Sequence, residues 1–340
     1  MPARRSPTEL GASLDYRPPR WLPGGHLQTL WGALVARRHH GPAPLWRRER
    51  WTTPDGDFID VDRVVQQAPS GAPLIVLFHG LEGSSASQYA VAFADFAISQ
   101  RVDLAVPHFR GCSGELNLAP RAYHSGDFEE IDWILHRFAG QTPGRPMVAV
   151  GVSLGGNALL RWAGEMGHQA AAVVSAVAAV CSPLDLAAGG HAIGQGFSRL
   201  VYTRMFLSSM VPKALQKLEQ HPGLFDGDAL RAARDLYTFD NLFTAPLHGF
   251  RDTDDYWRRA SAKPLLSDIR VPALALNALN DPFVPARSLP LAHEVGNHVQ
   301  LWQPAHGGHV GFPASDGWPG LPGHVRQMPE AVGRWLLAHV

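Results

Sequence analysis

The chain has 340 residues, which is enough to bury a large core within one domain. Thirty Lys and Arg balance thirty Asp and Glu, and no basic block stands out that would neutralise a phosphate backbone, so we expect no nucleic-acid partner. The two cysteines, Cys112 and Cys181, lack the spacing of a disulfide framework or of a cysteine-type zinc site.

The sequence also lacks the apolar segment of a secretory leader, and no run approaches eighteen continuous apolar residues. We therefore expect no transmembrane segment and a cytoplasmic location.

Residues 1–44 are predicted to form an N-terminal extension. Its first 20 residues are rich in Pro and Arg and are expected to be poorly ordered or to lie over the surface. A short helix follows, because apolar residues recur at helical spacing at Leu27, Leu30, Trp31, Leu34 and Val35. The basic cluster at 37–40 suggests contact with a membrane surface. Because the apolar face is short and the cluster small, we expect the stripe to pack on the main core instead.

The next segments predict a sheet. Two alternating runs around Pro54-Asp55-Gly56 indicate a β-hairpin. Compact apolar runs, typical of strands buried on both faces, follow at 74–78, 104–109, 147–150, 171–180, 273–279 and 299–302. Helix-like segments at 88–99, 127–138 and 157–166 separate the earlier runs. This alternation predicts an α/β fold with a mostly parallel sheet flanked by helices, in which function collects at the carboxyl ends of the strands.

The alternation stops over residues 184–266, which are rich in aromatic side chains and indicate helices and loops. We expect this segment to be a cap inserted over the strand ends. The α/β core then consists of residues 45–183 and 267–340.

Ser153 is the candidate nucleophile. It lies in Gly151-Val152-Ser153-Leu154-Gly155, directly after an apolar run and before a helix-like segment. A sharp strand-to-helix turn exposes a serine hydroxyl, and side chains at 151 and 155 would collide with neighbouring backbone. The start of the helix adds a partial positive charge that favours a developing anion.

A serine hydroxyl needs a base, and the base needs an orienting carboxylate. The later runs supply both in the order Ser, Asp, His: Asp281 follows the run 273–279, and a loop with His306 and His309 follows the run 299–302. Asp281 could instead cap a turn before Pro282, as Asp often does, although Asn280 could provide that cap and leave the carboxylate free for the histidine. Spacing does not choose between the two histidines.

Acyl transfer also requires donors for the oxyanion. His79-Gly80-Leu81-Glu82-Gly83 follows the first central strand, where such a donor arises in this type of fold. We expect the backbone N–H groups of Leu81 and Leu154 to form the oxyanion hole.

Other chemistries are weaker candidates. His306 and His309 lie on a glycine loop without the helical spacing of a metal site. Cys112 has no companion base and is expected to be a buried structural residue. Dinucleotide and nucleotide fingerprints are absent from the sequence, so we expect neither a cofactor nor a metal.

With these residues assembled, the sequence resembles the α/β-hydrolases and, within them, the YheT-like group, also called the AB hydrolase-4 family. The matching segments cover most of the chain in the same order: PPRWLPGGHLQTLWGAL, LFHGLEGSSAS, HFRGCSGELN, YHSGDFEEI, GVSLGGNALLRW, NALNDPFVP and GGHVGF. The resemblance implies Ser153 as nucleophile, Asp281 as orienting acid and His309, rather than His306, as general base. It also implies hydrolysis of short acyl esters, with acylglycerols or phospholipids as substrates of eukaryotic relatives.

We therefore predict a serine esterase that cleaves carboxylic esters, short-chain or acylglycerol-like, through an acyl-enzyme on Ser153. The partner is a small-molecule ester, and peripheral membrane contact is not expected. Two alternatives stay open: an acyltransferase that uses the same acyl-enzyme, and a binding protein without activity on a hydrolase scaffold.

Overall fold

The computed structural model describes residues 14–315 and 323–340. Most of the segment expected to be poorly ordered, residues 1–13, lies outside this range. In the described part of the chain, eight strands form one sheet in the order β1-β2-β4-β3-β5-β6-β7-β8. The strands are β1 (Trp46–Thr52), β2 (Phe58–Val64), β3 (Leu74–Phe78), β4 (Asp103–Pro107), β5 (Met147–Val152), β6 (Ala176–Val180), β7 (Ala273–Leu276) and β8 (Val299–Trp302).

The six strands β3 to β8 are parallel to one another, as the compact apolar runs predict, whereas β2 pairs antiparallel with β4. Every residue of β3, β5 and β6 is buried, because helices cover both faces of the sheet. The run 171–180 is a strand only in its second half, since residues 167–172 form a 3₁₀ helix.

The described helices are α1 (Gly25–Leu34), α2 (Gln88–Gln100), α3 (Phe128–Gln141), α4 (Leu154–Met166), α5 (Leu186–Ile193), α6 (Gly196–Ser198), α7 (Arg204–Gln220), α8 (Gly227–Arg231), α9 (Leu236–Phe239), α10 (Ala245–Leu247), α11 (Thr253–Ala260) and α12 (Gln327–Leu337). Alternate residues of β3 face opposite layers. Val76 and Phe78 share a core with α3 and α4, whereas Ile75 and Leu77 share one with α2 and α12. The sheet is therefore the middle of three layers.

The predicted β-hairpin is present. β1 and β2 pair antiparallel, and the last pair of the ladder is Thr52 with Phe58. Gly56 adopts φ 79° in the connecting turn, a conformation that glycine accepts without steric cost.

Seven helices, α5 to α11, lie between β6 and β7 in the described chain. They fall within the segment 184–266 that the sequence marks as an insertion. Before this segment, parallel strands alternate with helices from β3 to β6. After it, β7 and β8 complete the sheet.

The expectation for α1 is wrong for most of its apolar stripe. Leu27, Leu34 and Val35 are exposed, whereas Gln28 and Thr29 on the opposite side are buried. The buried polar side chains hydrogen bond to the loop that carries His309. Leu30 and Trp31 are half-buried and pack on buried clusters, so polar contacts and part of the apolar stripe together hold the helix.

Candidate active site

Ser153 lies at the turn between β5 and α4. Its φ is 53°, which places a non-glycine residue in the left-handed region and marks a strained turn. A Cβ atom at Gly151 would come within 2.4 Å of the carbonyl oxygen of Gly155, and one at Gly155 within 2.5 Å of the carbonyl oxygens of Phe78 and His79. The glycines are therefore required by close backbone contact, for the reason that the sequence suggests.

The structure brings Ser153, His309 and Asp281 together. Ser153 Oγ is 3.0 Å from His309 Nε2, and His309 Nδ1 is 2.9 Å from Asp281 Oδ2. These partners assign the ring proton to Nδ1, which donates to the carboxylate and leaves Nε2 free to accept from the serine hydroxyl. The arrangement has the order nucleophile, base and orienting acid that acyl transfer requires.

The second histidine of the loop is in a different position. His306 is exposed, and its Nδ1 lies 3.4 Å from the side-chain nitrogen of Asn280. His309 is buried, and the ring of Phe283 stacks on it with a centroid distance of 4.1 Å. Of the two candidates, it is therefore His309 that contacts Ser153 and Asp281.

The Asp281 carboxylate is held from a second side. Its Oδ1 accepts hydrogen bonds from the backbone N–H of Phe283 at 2.8 Å and of Val284 at 3.3 Å. These bonds fix the carboxylate under the His309 ring, because backbone amides cannot rotate away as side chains can. Asp281 thus both caps the following turn and orients the histidine, two roles that the sequence presents as alternatives.

Cys181 lies beside this pair and has a ligand atom within 4.8 Å of those of Asp281 and His309. Burial raises the pKa of its thiol well above the usual range, and its Sγ accepts the backbone N–H of Val310 at 3.3 Å. A protonated thiol is a poor metal ligand, and the carboxylate and imidazole already bind each other. The chemistry of the three groups therefore fits a hydrogen-bonded arrangement better than a metal site.

Cys112 is also buried, with a thiol pKa raised to about 12 by burial. This environment is that of an unreactive structural cysteine.

The turn from His79 to Gly83 passes close to the nucleophile, since a Cβ atom at Gly80 would lie 3.2 Å from Ser153 Cβ. Two tyrosine hydroxyls hold the turn. Tyr89 accepts the N–H of Gly80 at 2.9 Å, and Tyr123 accepts the N–H of Glu82 at 3.0 Å. Burial raises the pKa of both phenols, so they stay protonated.

The remaining amides of the turn differ in their bonding. The N–H of Gly83 donates to the carbonyl of Gly80 at 2.9 Å, which closes the turn. Within residues 14–315 and 323–340, no hydrogen bond engages the N–H of Leu81. The N–H of Leu154, at the first position of α4, has no intrahelical acceptor. These two amides are the ones that the sequence predicts for an oxyanion hole.

The sequence did not reveal the support that α1 gives to the catalytic loop. Gln28 Oε1 accepts the N–H of Gly307 at 2.9 Å, and Thr29 Oγ1 accepts the N–H of His309 at 2.8 Å. Asn280 Oδ1 accepts the N–H of Gly308 at 3.0 Å. Gln28 and Thr29 are polar residues among the apolar residues of α1, which could have indicated a polar contact. The backbone groups that they bind lie about 280 residues further along the chain, so the sequence does not identify them.

An open cavity lies at Ser153 and His309. The insertion supplies most of its apolar wall: Leu186, Ile193, Phe206, Met210, Leu236 and Trp257. A second cavity shares part of its lining with the first, including Leu81, Leu154 and Asp240. Lys213 of α7 lies 2.9 Å from the Glu82 carboxylate, so the insertion also contacts the turn next to Leu81.

Comparison with known proteins agrees with this architecture. The family model described as alpha/beta hydrolase fold matches residues 73–315. The putative esterase YheT of Escherichia coli (strain K12) is 38% identical over 309 residues, which cover 89% of this chain and 88% of that protein. Phospholipase ABHD3 of Mus musculus is 29% identical, covering 87% of this chain and 73% of that protein.

Among solved structures, a putative lipase from Acinetobacter baumannii AYE superimposes with a TM-score of 0.52 at 16% identity, covering 92% of this chain and 94% of that one. At this identity the likeness concerns the fold alone. The eight-stranded sheet and the strand-end site define an α/β-hydrolase fold. On the strength of the sequence match, the chain belongs to the YheT-like family of α/β-hydrolases.

Proposed function

We propose that the protein is a serine esterase that hydrolyses carboxylic esters. The observation that carries the proposal is the continuous hydrogen-bond chain from Asp281 through His309 to Ser153, at the wall of an apolar cavity. The names of two relatives, a putative esterase and a phospholipase, agree with ester hydrolysis.

In the first half of the reaction, Ser153 Oγ attacks the ester carbonyl carbon while its proton passes to His309 Nε2. Asp281 holds the Nδ1–H and stabilises the imidazolium that forms. The tetrahedral intermediate collapses as its bond to the alcohol oxygen breaks, and His309 returns the proton to the departing alcohol. Water, activated by the same nitrogen, then attacks the acyl-enzyme and releases the acid.

The amides of Leu81 and Leu154 would hold the oxyanion of both tetrahedral intermediates. Their lack of other acceptors supports this role, because a donor already engaged would have to break a bond at the moment of reaction. The strain at Ser153 supports it too, since the turn keeps the hydroxyl next to Gly80 and the start of α4.

The substrate class follows from the cavity wall. Its apolar side chains from the insertion favour esters with an apolar chain over small charged esters. We propose that residues 184–266 act as the cap that encloses this chain, and that no cofactor or metal takes part.

Ser153→Ala tests the mechanism directly. Turnover of an activated short-chain ester should fall by about 10⁴-fold or more, as in other serine triads. Ser125 also lines the cavity, so Ser125→Ala is the matched control and should keep both activity and labelling by a fluorophosphonate. An unchanged rate in Ser153→Ala, or a label on a different serine, would reject the proposal.

A further inference from the structure

Helix α1 presents part of its apolar stripe to solvent, although Leu30 and Trp31 are half-buried. Leu34 is 74% exposed and Leu27 49%, whereas Gln28, Thr29 and Gly32 are buried. The buried polar groups are committed to the catalytic loop, so rotation of the helix to cover the leucines would break those hydrogen bonds. The exposed face is therefore fixed in place by contacts on the opposite side of the helix.

Helix α6 and the residues directly after it add to this face. Phe197 is 49% exposed and Leu200 64%, while Tyr202 and Thr203 point inward and are buried. The ring of His26 joins the two elements, because it contacts Phe197 with a centroid distance of 4.7 Å. Leu27, Leu34, Phe197 and Leu200 thus belong to neighbouring elements, and we call them the apolar surface. Exposed apolar patches of this kind mark interaction sites.

Positive charge accompanies the apolar surface where it crosses α6 and the residues that follow. Of the cations in that stretch of the chain, Lys213 is paired with Glu82 and Lys217 is buried, so Arg199 and Arg204 are the ones available to a partner. Arg199 and Arg204 flank Leu200, are exposed, and form no ion pair with any residue that the structure describes. The chemistry complementary to this region is both apolar and anionic.

A phospholipid surface with anionic headgroups has both properties. Leu and Phe side chains insert at the boundary between headgroups and acyl chains, and Arg side chains bind the phosphates. None of the described helices is long and apolar enough to cross a bilayer, so such contact would be peripheral. We infer that the apolar surface docks the protein on an anionic phospholipid bilayer, in contrast to the expectation from the short stripe of α1 in the sequence.

Docking there would bring lipid close to the catalytic cavity. Ile193, Phe206 and Met210 line the cavity from the same stretch of chain that carries Phe197 and Leu200 outward. The inference concerns where the protein sits and does not require that the bilayer lipid is its substrate.

The test is flotation of the full chain with vesicles of phosphatidylcholine alone and of phosphatidylcholine with one quarter phosphatidylglycerol. We expect flotation with the anionic vesicles only, weakening as added salt screens the arginines. The pair Leu27→Ser and Leu200→Ser should weaken binding by about tenfold or more, because two inserted side chains are lost. Arg199→Gln with Arg204→Gln should have a similar effect, about tenfold.

The matched control is Val65→Ser with Ile98→Ser. Both residues are exposed, but Val65 follows β2 and Ile98 lies in the last turn of α2, which places them at the edge of the sheet opposite the strand ends that carry Ser153. All these variants should hydrolyse a soluble short-chain ester at the wild-type rate. Equal flotation of the Leu27/Leu200 pair and the control pair, equal binding to both vesicle types, or no flotation at all would overturn the inference.

Two further measurements separate lipid docking from dimerisation and from esterase activity. Sedimentation without vesicles detects a dimer, and a dimer that Leu27→Ser and Leu200→Ser dissociate would assign the surface to a second copy and overturn lipid docking. Flotation is repeated with Ser153→Ala. Ser153→Ala should float like the wild type, because docking does not use the nucleophile. A wild-type protein that floats but hydrolyses no ester would support docking while rejecting the proposed function, whereas an active wild-type esterase that never floats would reject docking alone.

Discussion

The side chain of Thr29 accepts a hydrogen bond from the backbone N–H of His309 at 2.8 Å, across 280 residues of sequence. Its own hydroxyl proton goes to the carbonyl of Gly25 at 2.7 Å, so the threonine links α1 to the catalytic loop with a fixed polarity. The position of the imidazole above Ser153 therefore depends on a helix near the start of the described chain.

Thr29→Val should lower kcat on a short activated ester by about ten- to a hundredfold, since small displacements of a catalytic group are costly. Valine keeps the shape but leaves the buried His309 amide without an acceptor. Steady-state kinetics provide the measurement, and Thr29→Ser, which restores the oxygen, should recover most of kcat. A loss of thermal stability with unchanged kcat would show that Thr29 supports the fold rather than the position of His309.

Asp281→Asn tests the orienting carboxylate. The asparagine can still accept the amides of Phe283 and Val284 through its oxygen, so the turn is retained. Its NH₂ group then faces His309 Nδ1, which has to become the acceptor and leaves the ring proton on Nε2, where it blocks proton transfer from Ser153. We expect kcat at neutral pH to fall by about 10⁴-fold, the size seen for this change in a serine protease. Activity within a few-fold of wild type would show that Asp281 does not set the tautomer.

The glycines of the nucleophile turn give a prediction about stability. Gly155→Ala places a methyl group 2.5 Å from the carbonyl oxygens of Phe78 and His79, and neither backbone group can move without disturbing β3. Unfolding by urea should show a loss of about 2 kcal/mol or more, if the variant folds at all.

Gly140→Ala is the matched control for this substitution. The position lies within α3 and has no atom within 4 Å of a built Cβ. It should gain about 0.5–1 kcal/mol, because alanine has less conformational entropy to lose than glycine in a helix. Equal effects of the two substitutions would contradict the steric explanation.

The parts of the molecule that local patterns determine were predictable. Strands buried on both faces give compact apolar runs, and β3, β6 and β7 lie within the predicted runs 74–78, 171–180 and 273–279. Gly151 and Gly155 flank Ser153 because the turn leaves no room for side chains, and that reason can be read from five residues.

The parts that depend on distant partners were not predictable. The orientation of α1 is set by Gln28 and Thr29, whose acceptor oxygens serve amides of the His309 loop. An apolar stripe predicts burial only when no other side of the helix makes stronger contacts with the core. In α1 the hydrogen bonds of Gln28 and Thr29 hold the polar side inward. The tyrosines that hold the turn at Leu81 were not predictable for the same reason. Tyr89 and Tyr123 belong to no sequence motif with this turn, and only the tertiary structure brings them to it.

A last prediction concerns the protonation of His79, which precedes Gly80 and Leu81. The ring is fully buried, and burial lowers its pKa from the ordinary 6.5 to about 3, with nearby positive charge adding to the effect. Its Nδ1 lies 2.8 Å from the carbonyl of Gly80, and its Nε2 accepts the N–H of Phe109 at 3.0 Å. A neutral ring with its proton on Nδ1 satisfies both partners, whereas a second proton on Nε2 would face a donor.

The sign of the pH effect follows from these values. The unfolded chain takes up a proton on His79 below about 6.5 and the folded chain does not, so this residue's contribution to stability is full above pH 6.5 and falls as the pH drops toward 3, by about 1.4 kcal/mol per pH unit. Nuclear magnetic resonance of the protein labelled with ¹⁵N-histidine measures the protonation directly, and His79→Asn identifies the resonance. We expect the Nδ1–H tautomer with no titration between pH 8 and pH 5. A ring that titrates near 6.5, or that carries its proton on Nε2, would contradict the hydrogen bonds that hold the turn at Leu81.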